Sequence, residues 1–165
     1  MWAGGDRRGA DECGEQAEEW VGLTYELFWD VVHRNSIEDQ GRTSQGLVHF
    51  GEAYEKAVWD GEGQMFFGDG DGSLLTDTTR GLDVIGHELT HGVTQHEANL
   101  VYAGQSGALN ESISDVFGSL VKQYHLAQDA ARADWLTGAD IPGPVLAPAP
   151  RAMKAPCTAD RYATP

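Results

Sequence analysis

His87-Glu88-Leu89-Thr90-His91 is the part of this 165-residue chain whose residue types and spacing point most directly to chemistry. Two histidines four residues apart on a helix lie about 40° apart around the axis and about 6 Å along it, so both imidazoles can reach one ion. Glu88 is displaced about 100° from His87, beside such an ion rather than on it, which is where a base for a metal-activated water belongs. A catalytic zinc site also needs a third protein ligand and one open position. Glu111 offers a carboxylate near the start of the next helical pattern, and Asp115, one turn on, shares its face and can hold a ligand imidazole by its free N–H. Taken singly, Glu111 reads as a favourable charge near a helix N-terminus and Asp115 as a solvated helix residue. Following HExxH, both read better as parts of a metal centre.

Such a site must be positioned by helices. Apolar residues recur at three- and four-residue steps over 15–34 (Trp20, Leu23, Leu27, Phe28, Val31, Val32), which predicts an amphipathic helix ended by Asn35-Ser36. A second helix is expected over 81–95, carrying HExxH, and a third over 107–131, carrying Glu111 and Asp115. Short β-prone runs at 46–50 and 64–67 predict small strands. Gly68-Asp69-Gly70-Asp71-Gly72 alternates Asp in the manner of a calcium loop. The twelfth residue counted from Asp69 is Arg80, a cation, which excludes an EF-hand and leaves a tight turn. All six prolines fall in the last 28 residues. The expected organisation is a flexible acidic leader at 1–19, a core at 20–136 and an extended or disordered proline-rich tail at 137–165.

Composition narrows the partners. With 11 Lys+Arg against 26 Asp+Glu the formal net charge is -15, which repels a phosphate backbone or an anionic lipid surface, so neither nucleic acid nor membrane is an expected partner. No run approaches the roughly 18 apolar residues of a membrane span, and the first residues have no signal-peptide core. Cys13 and Cys157 share no CxxC spacing and are expected as free thiols, with one long-range disulfide as the other reading.

The residues from His87 to Thr94, followed by Gln105-Ser-Gly-Ala-Leu-Asn-Glu111-Ser-Ile-Ser-Asp115-Val-Phe-Gly118, resemble the thermolysin-like neutral zinc metallopeptidases. Leu27-Phe28-Trp29, His49-Phe50-Gly51, Ala57-Val58-Trp59-Asp60-Gly61 and Gln64-Met65 through Gly72 follow the family's order over about 20–136. The resemblance implies a single zinc on His87, His91 and Glu111, Glu88 as general base, Tyr102 stabilising an oxyanion, and Asp115 and Asn110 supporting the ligands, with Asp115 orienting His87. It also implies Ala57 on the substrate backbone, Leu75 and Val84 in a pocket for an apolar side chain after the scissile bond, and Arg151 as a substrate-binding arginine.

Several positions depart from the family pattern. Lys56 stands where the family usually has a substrate-binding asparagine. Lys122 replaces a calcium ligand, so the double calcium site next to Asp83 is expected to be absent, as in the protealysin-like branch. The Asn-Gly-Gly-Val-His segment of the family's C-terminal helical domain is not in the chain, and no other histidine replaces its histidine. His125 lies about 21 Å along the helix from Glu111; His33, His49 and His96 are assigned to core or surface roles.

The expected fold is therefore α+β, a partial thermolysin-like zincin core with small β elements, the HExxH helix packed on a second ligand-bearing helix, and no C-terminal helical domain. The expected function is zinc-dependent endopeptidase action on a peptide or protein substrate. The alternative is a non-catalytic zinc-binding remnant; a calcium-binding module on Asp69 and Asp71 is weaker. The resemblance implies secretion, while the lack of a signal in the chain leaves the cytoplasm open.

Overall fold

The computed structural model describes residues 11–145 and 151–155. The chain enters through α1 (Glu12–Leu27), whose N-terminus is capped by the Asp11 side chain accepting the Cys13 N–H at 3.2 Å, with Glu12 and Glu15 placed favourably in the first turn. Ala17, Val21, Thr24 and Leu27 form its buried stripe. The acidic leader expected over 1–19 is thus corrected: residues 12–19 are helical and Ala17 is fully buried in a cluster with Met65, Phe67, Ile85 and Leu89 as α1 packs against α2 and the turn at 78–80. Residues 1–10 lie outside the described residues.

The helix passes into a wider π-type turn over Phe28–Val32 and stops at His33, whose φ of 60° is left-handed. The wider turn rotates the following side chains out of register, so Phe28 stays buried while Val31 and Val32, expected on the apolar face, point to solvent.

β1 (Gln45–Leu47), β2 (Ala57–Trp59) and β3 (Gln64–Phe67) make one sheet in the order β1-β3-β2, with β1 parallel and β2 antiparallel to β3. Met65 and Phe67 alternate inward from β3 and are fully buried with Ala17, Val21, Ile37, Ile85 and Leu89. Each such large side chain contributes about 1.5–3 kcal/mol by leaving water. Among the described residues β2 has a strand on one side only, and it packs on α2 (Leu82–Glu97). The turn after β3 is glycine-permitted, with Gly70 and Gly72 at φ of 66° and 75°, and Asp71 Oδ1 accepts the N–H groups of Ser73 and Leu74.

α2 packs more extensively on α3 (Gly104–His125) than on any other element. The crossing is tight: a Cβ added to Gly86 would stand 3.1 Å from Gly118 Cα, and one added to Gly118 would stand 2.3 Å from the Asp83 carbonyl oxygen. Leu27, Phe28, Leu82 and Val121 fill the far side of the crossing.

The tail expected to be extended or disordered from 137 is ordered where it is described. β4 (Leu136–Thr137) pairs antiparallel with β5 (Arg151–Ala152), Ile141 is buried, and Thr76 donates its N–H to the Ile141 carbonyl at 2.8 Å. Of the described prolines, Pro142 is itself bridged to Leu75 and Pro144 lies in a turn; residues 146–150 and 156–165 lie outside the described residues.

Asp83 is fully buried at the start of α2. Its Oδ2 accepts the Gly138 N–H at 3.1 Å and lies 3.7 Å from Lys122 Nζ, which also reaches Asp134 at 3.2 Å and Asp140 at 3.7 Å. An ammonium thus stands among three carboxylates where the family resemblance implied a calcium ligand. Burial raises the Asp83 pKa above its ordinary 3.8, and Lys122 opposes that rise. Removing the ammonium leaves a buried charge unpaired, so Lys122→Met is expected to cost about 3 kcal/mol at neutral pH. The folded-state pKa then climbs further above the unfolded value. The folded state binds more protons, and stability falls as pH rises through that window. Denaturant unfolding should therefore show a smaller deficit at pH 5 than at pH 8; an equal deficit at both would contradict this pairing.

Candidate metal centre

α2 presents His87, Glu88 and His91 on its buried side, and the close crossing with α3 places Glu111 opposite them. His87 Nε2 lies 3.0 Å from His91 Nε2 and 3.4 Å from Glu111 Oε2, and His91 Nε2 lies 3.4 Å from Glu111 Oε1. Ligands at about 2.0–2.1 Å around a tetrahedral zinc stand about 3.3 Å apart, so the three atoms are spaced for one ion.

The outer nitrogens are also engaged. His87 Nδ1 meets Asp115 Oδ1 at 2.9 Å, and His91 Nδ1 meets Asn110 Oδ1 at 2.7 Å with Ser114 Oγ at 3.1 Å. A ring whose Nδ1–H donates to oxygen carries a bare lone pair on Nε2. The two Nε2 atoms stand 3.0 Å apart, an approach that needs a cation, a proton or a metal ion, between them. The donor set, two imidazoles and a carboxylate with oriented outer nitrogens, fits zinc.

The electrostatics agree. Burial pulls the His87 pKa down, but Asp115 and Glu111 outweigh it and hold the imidazole up at about 9, so a positive charge is favoured at this spot. Hydrogen bonds from His87 and His91 hold the Glu111 carboxylate far below its ordinary range. Glu88 is buried, which raises its proton affinity, while His87 and His91 oppose the rise.

Glu88 does not join the trio. Its Oε2 accepts the backbone N–H of Trp59 at 2.9 Å, so the edge of β2 holds the carboxylate beside the ligand atoms. Tyr102 is exposed on the connection between α2 and α3, and its hydroxyl donates to Glu111 Oε1. Arg151, carried in by β5, lies 2.7 Å from Asp115 Oδ1 and 3.4 Å from His87 Nδ1.

A cleft of about 870 Å³ opens over these groups, lined among others by Lys56, Ala57, Trp59, Val101, Tyr102 and Arg151. Leu75 and Val84 are not in this lining. Leu75 bridges to Pro142 and Val84 lies in the first turn of α2, both half-buried. Ser114, the Trp59 N–H and the glycine pair at 86 and 118 were not singled out from sequence. A glycine directly before the first histidine, and another three residues after Asp115, are the signal that could have pointed to a close crossing.

Residues 6–95 match the family model described as thermolysin metallopeptidase, catalytic domain. The chain belongs to the thermolysin metallopeptidase family. Residues 98–164 match the family's alpha-helical domain model, so the division between the two models falls between α2 and α3, and Glu111 comes from the second. Among curated relatives, an extracellular metalloprotease of Pectobacterium carotovorum subsp. carotovorum is 51% identical over 139 residues, covering 84% of this chain and 40% of the relative. Protease PrtS of Photorhabdus sp. (strain Az29) is 47% identical over 137 residues, covering 83% of this chain and 37% of that protein. The structure of the precursor of protealysin, a metalloproteinase from Serratia proteamaculans, superposes with a TM-score of 0.86 at 48% identity, over 92% of this chain and 47% of that one. The chain thus spans about 40% of the length of these curated relatives.

Thermolysin metallopeptidases are zinc-dependent, and His87, His91 and Glu111 form a group among the described residues that could hold an ion. Asp115→Ala removes the partner that orients His87 and is expected to weaken zinc binding 10–100-fold in chelator competition. Glu88→Gln, which leaves all three ligand atoms in place, should change affinity by less than threefold. Equal affinity for wild type and Asp115→Ala would contradict the geometry.

Proposed function

We propose that this chain carries the metal centre of a zinc endopeptidase that holds one zinc on His87, His91 and Glu111 and hydrolyses peptide bonds with Glu88 as general base. The observation that carries the reading is the placement of the Glu88 carboxylate beside the ligand trio, where the Trp59 N–H fixes it on the floor of an open cleft. When bound there, zinc would polarise a carbonyl oxygen and lower the pKa of water at its open position towards ~7.

The remaining work belongs to the chain's own residues. Burial gives Glu88 a higher proton affinity than an exposed carboxylate, which suits it to take a proton from the attacking water and return it to the leaving amine. The Tyr102 hydroxyl, pushed up to about 12 by its hydrogen bond to Glu111, stays protonated at neutral pH and can donate to the developing oxyanion. Arg151, held by Asp115, presents guanidinium N–H groups to a substrate carbonyl.

Among the described residues β2 has one strand neighbour and lines the cleft, so an extended peptide can lie along β2 beside Ala57 on the cleft side. Val58, Trp59, Leu100 and Val101 give the cleft apolar surface, which supports an apolar side chain after the scissile bond. Leu75 and Val84 would serve that preference from outside this lining. Lys122 among Asp83, Asp134 and Asp140 supports the absence of a double calcium site. The relative named an extracellular metalloprotease supports secretion. No helix among the described residues is long and apolar enough to cross a membrane.

The test is cleavage of a peptide with Leu or Phe after the scissile bond by the zinc-loaded chain, beside Glu88→Gln. The expected result is zinc-dependent turnover that falls by at least about 10²-fold in the variant while bound zinc is unchanged. Equal turnover in Glu88→Gln would overturn the assignment of the base. Bound zinc without turnover in the wild type would favour the non-catalytic reading.

A further inference from the structure

A second group of metal-ligating side chains lies away from the cleft, at the N-terminus of α1. We propose that Asp11, Cys13 and His49 form a second site for a borderline-soft divalent ion such as zinc, one that ties α1 to the loops after β1 and β3.

The geometry carries the proposal. One ligand atom from each of the three residues lies within 4.8 Å of the other two. A thiol, an imidazole and a carboxylate are a donor set that selects zinc and its transition-metal neighbours over calcium or magnesium. The imidazole is oriented as a ligand would be: His49 Nδ1 meets Asp69 Oδ1 at 2.8 Å and Oδ2 at 2.9 Å, which turns Nε2 toward Asp11. Cys13 is a free cysteine, and its Sγ lies 2.8 Å from Asp77 Oδ2. Asp77 is itself anchored by the Thr79 N–H at 2.9 Å, so the thiol is held between two fixed elements.

Charge points the same way. Asp11, Asp69 and Asp77 surround one imidazole and one thiol, and among the described residues His49 is the one cationic partner of Asp11 and Asp69. A divalent ion would supply that missing charge. Asp11, His49 and Asp69 are each nearly half exposed at the side chain, so an ion can enter without unfolding. None of these residues lines the cleft. The ligands are separated by 38 residues between Asp11 and His49, so the ion would act as a staple on the first turn of α1.

Cobalt(II) distinguishes this site from the cleft, because a sulfur-to-metal charge-transfer band in the near ultraviolet requires a thiolate ligand and the trio of His87, His91 and Glu111 contains none. The apo chain, kept reduced with a phosphine, is titrated with cobalt(II) and the band is followed. The expected result is a band that persists in Glu111→Ala and in Cys157→Ser, disappears in Cys13→Ser, and needs at least tenfold more cobalt in His49→Ala. Circular dichroism checks that each variant is folded, and bound zinc should fall from two equivalents in the wild type to one in Cys13→Ser. No band in the wild type, or a band that survives Cys13→Ser, would overturn the proposal. Loss of the band in Cys157→Ser alone would overturn it too.

Discussion

Gly118 stands so close to α2 that a Cβ there would lie 2.3 Å from the Asp83 carbonyl oxygen and 3.3 Å from the His87 amide nitrogen. Nothing larger than hydrogen fits without moving a helix backbone. The approach at Gly118 and Gly86 sets how far apart α2 and α3 run, and hence whether a carboxylate on one can meet two imidazoles on the other. Glu111 is seven residues, or about two turns, before Gly118, so the crossing and the metal trio are rigidly linked along α3. Apolar packing on the far side, from Leu82 and Val121 to Phe28, holds the crossing closed.

Around that crossing, hydrogen bonds convert two helices into a site. Asp115 and Asn110, on α3, each take the outer nitrogen of one α2 histidine, so the helix that carries Glu111 also orients the two imidazoles that face it. Asp115 further holds Arg151, which reaches the site only because β5 pairs with β4. The sheet contributes the backbone N–H of Trp59, which holds the Glu88 carboxylate apart from the other three side chains. Lys122 plays a comparable part at the other end of α2, where its ammonium answers the buried Asp83.

The side chains that the fold brings together, His87, His91, Glu111 and Asp115, are picked out in the sequence by their types and i, i+4 spacing, and the family resemblance adds Asn110, Tyr102, Ala57 and Arg151. What escapes is what sequence spacing does not encode. Trp59 acts through its main chain, which carries no residue signature, and Ser114 reaches His91 only after the helices have crossed. Val31 and Val32 continue a helical period on paper yet face solvent, because the π-type turn adds a residue that periodicity does not foresee. Prolines suggest a loose tail from 137, but β4 and β5 pair across an intervening segment, a long-range contact invisible to local composition. His49 reads from the sequence as a surface or core residue, because its neighbours come from two distant stretches, Asp11 and Cys13 from the start of α1 and Asp69 from the turn after β3.

The central claim, that the α2–α3 approach at Gly118 creates the metal centre, is tested most directly by zinc affinity. Gly118→Ala changes no ligand side chain, yet its methyl group would press on the α2 backbone, force the helices apart and should weaken zinc binding at the cleft at least tenfold in chelator competition. Leu120→Ala, at an exposed position on the same helix, should leave it unchanged. Wild-type affinity in a folded Gly118→Ala chain would contradict the account.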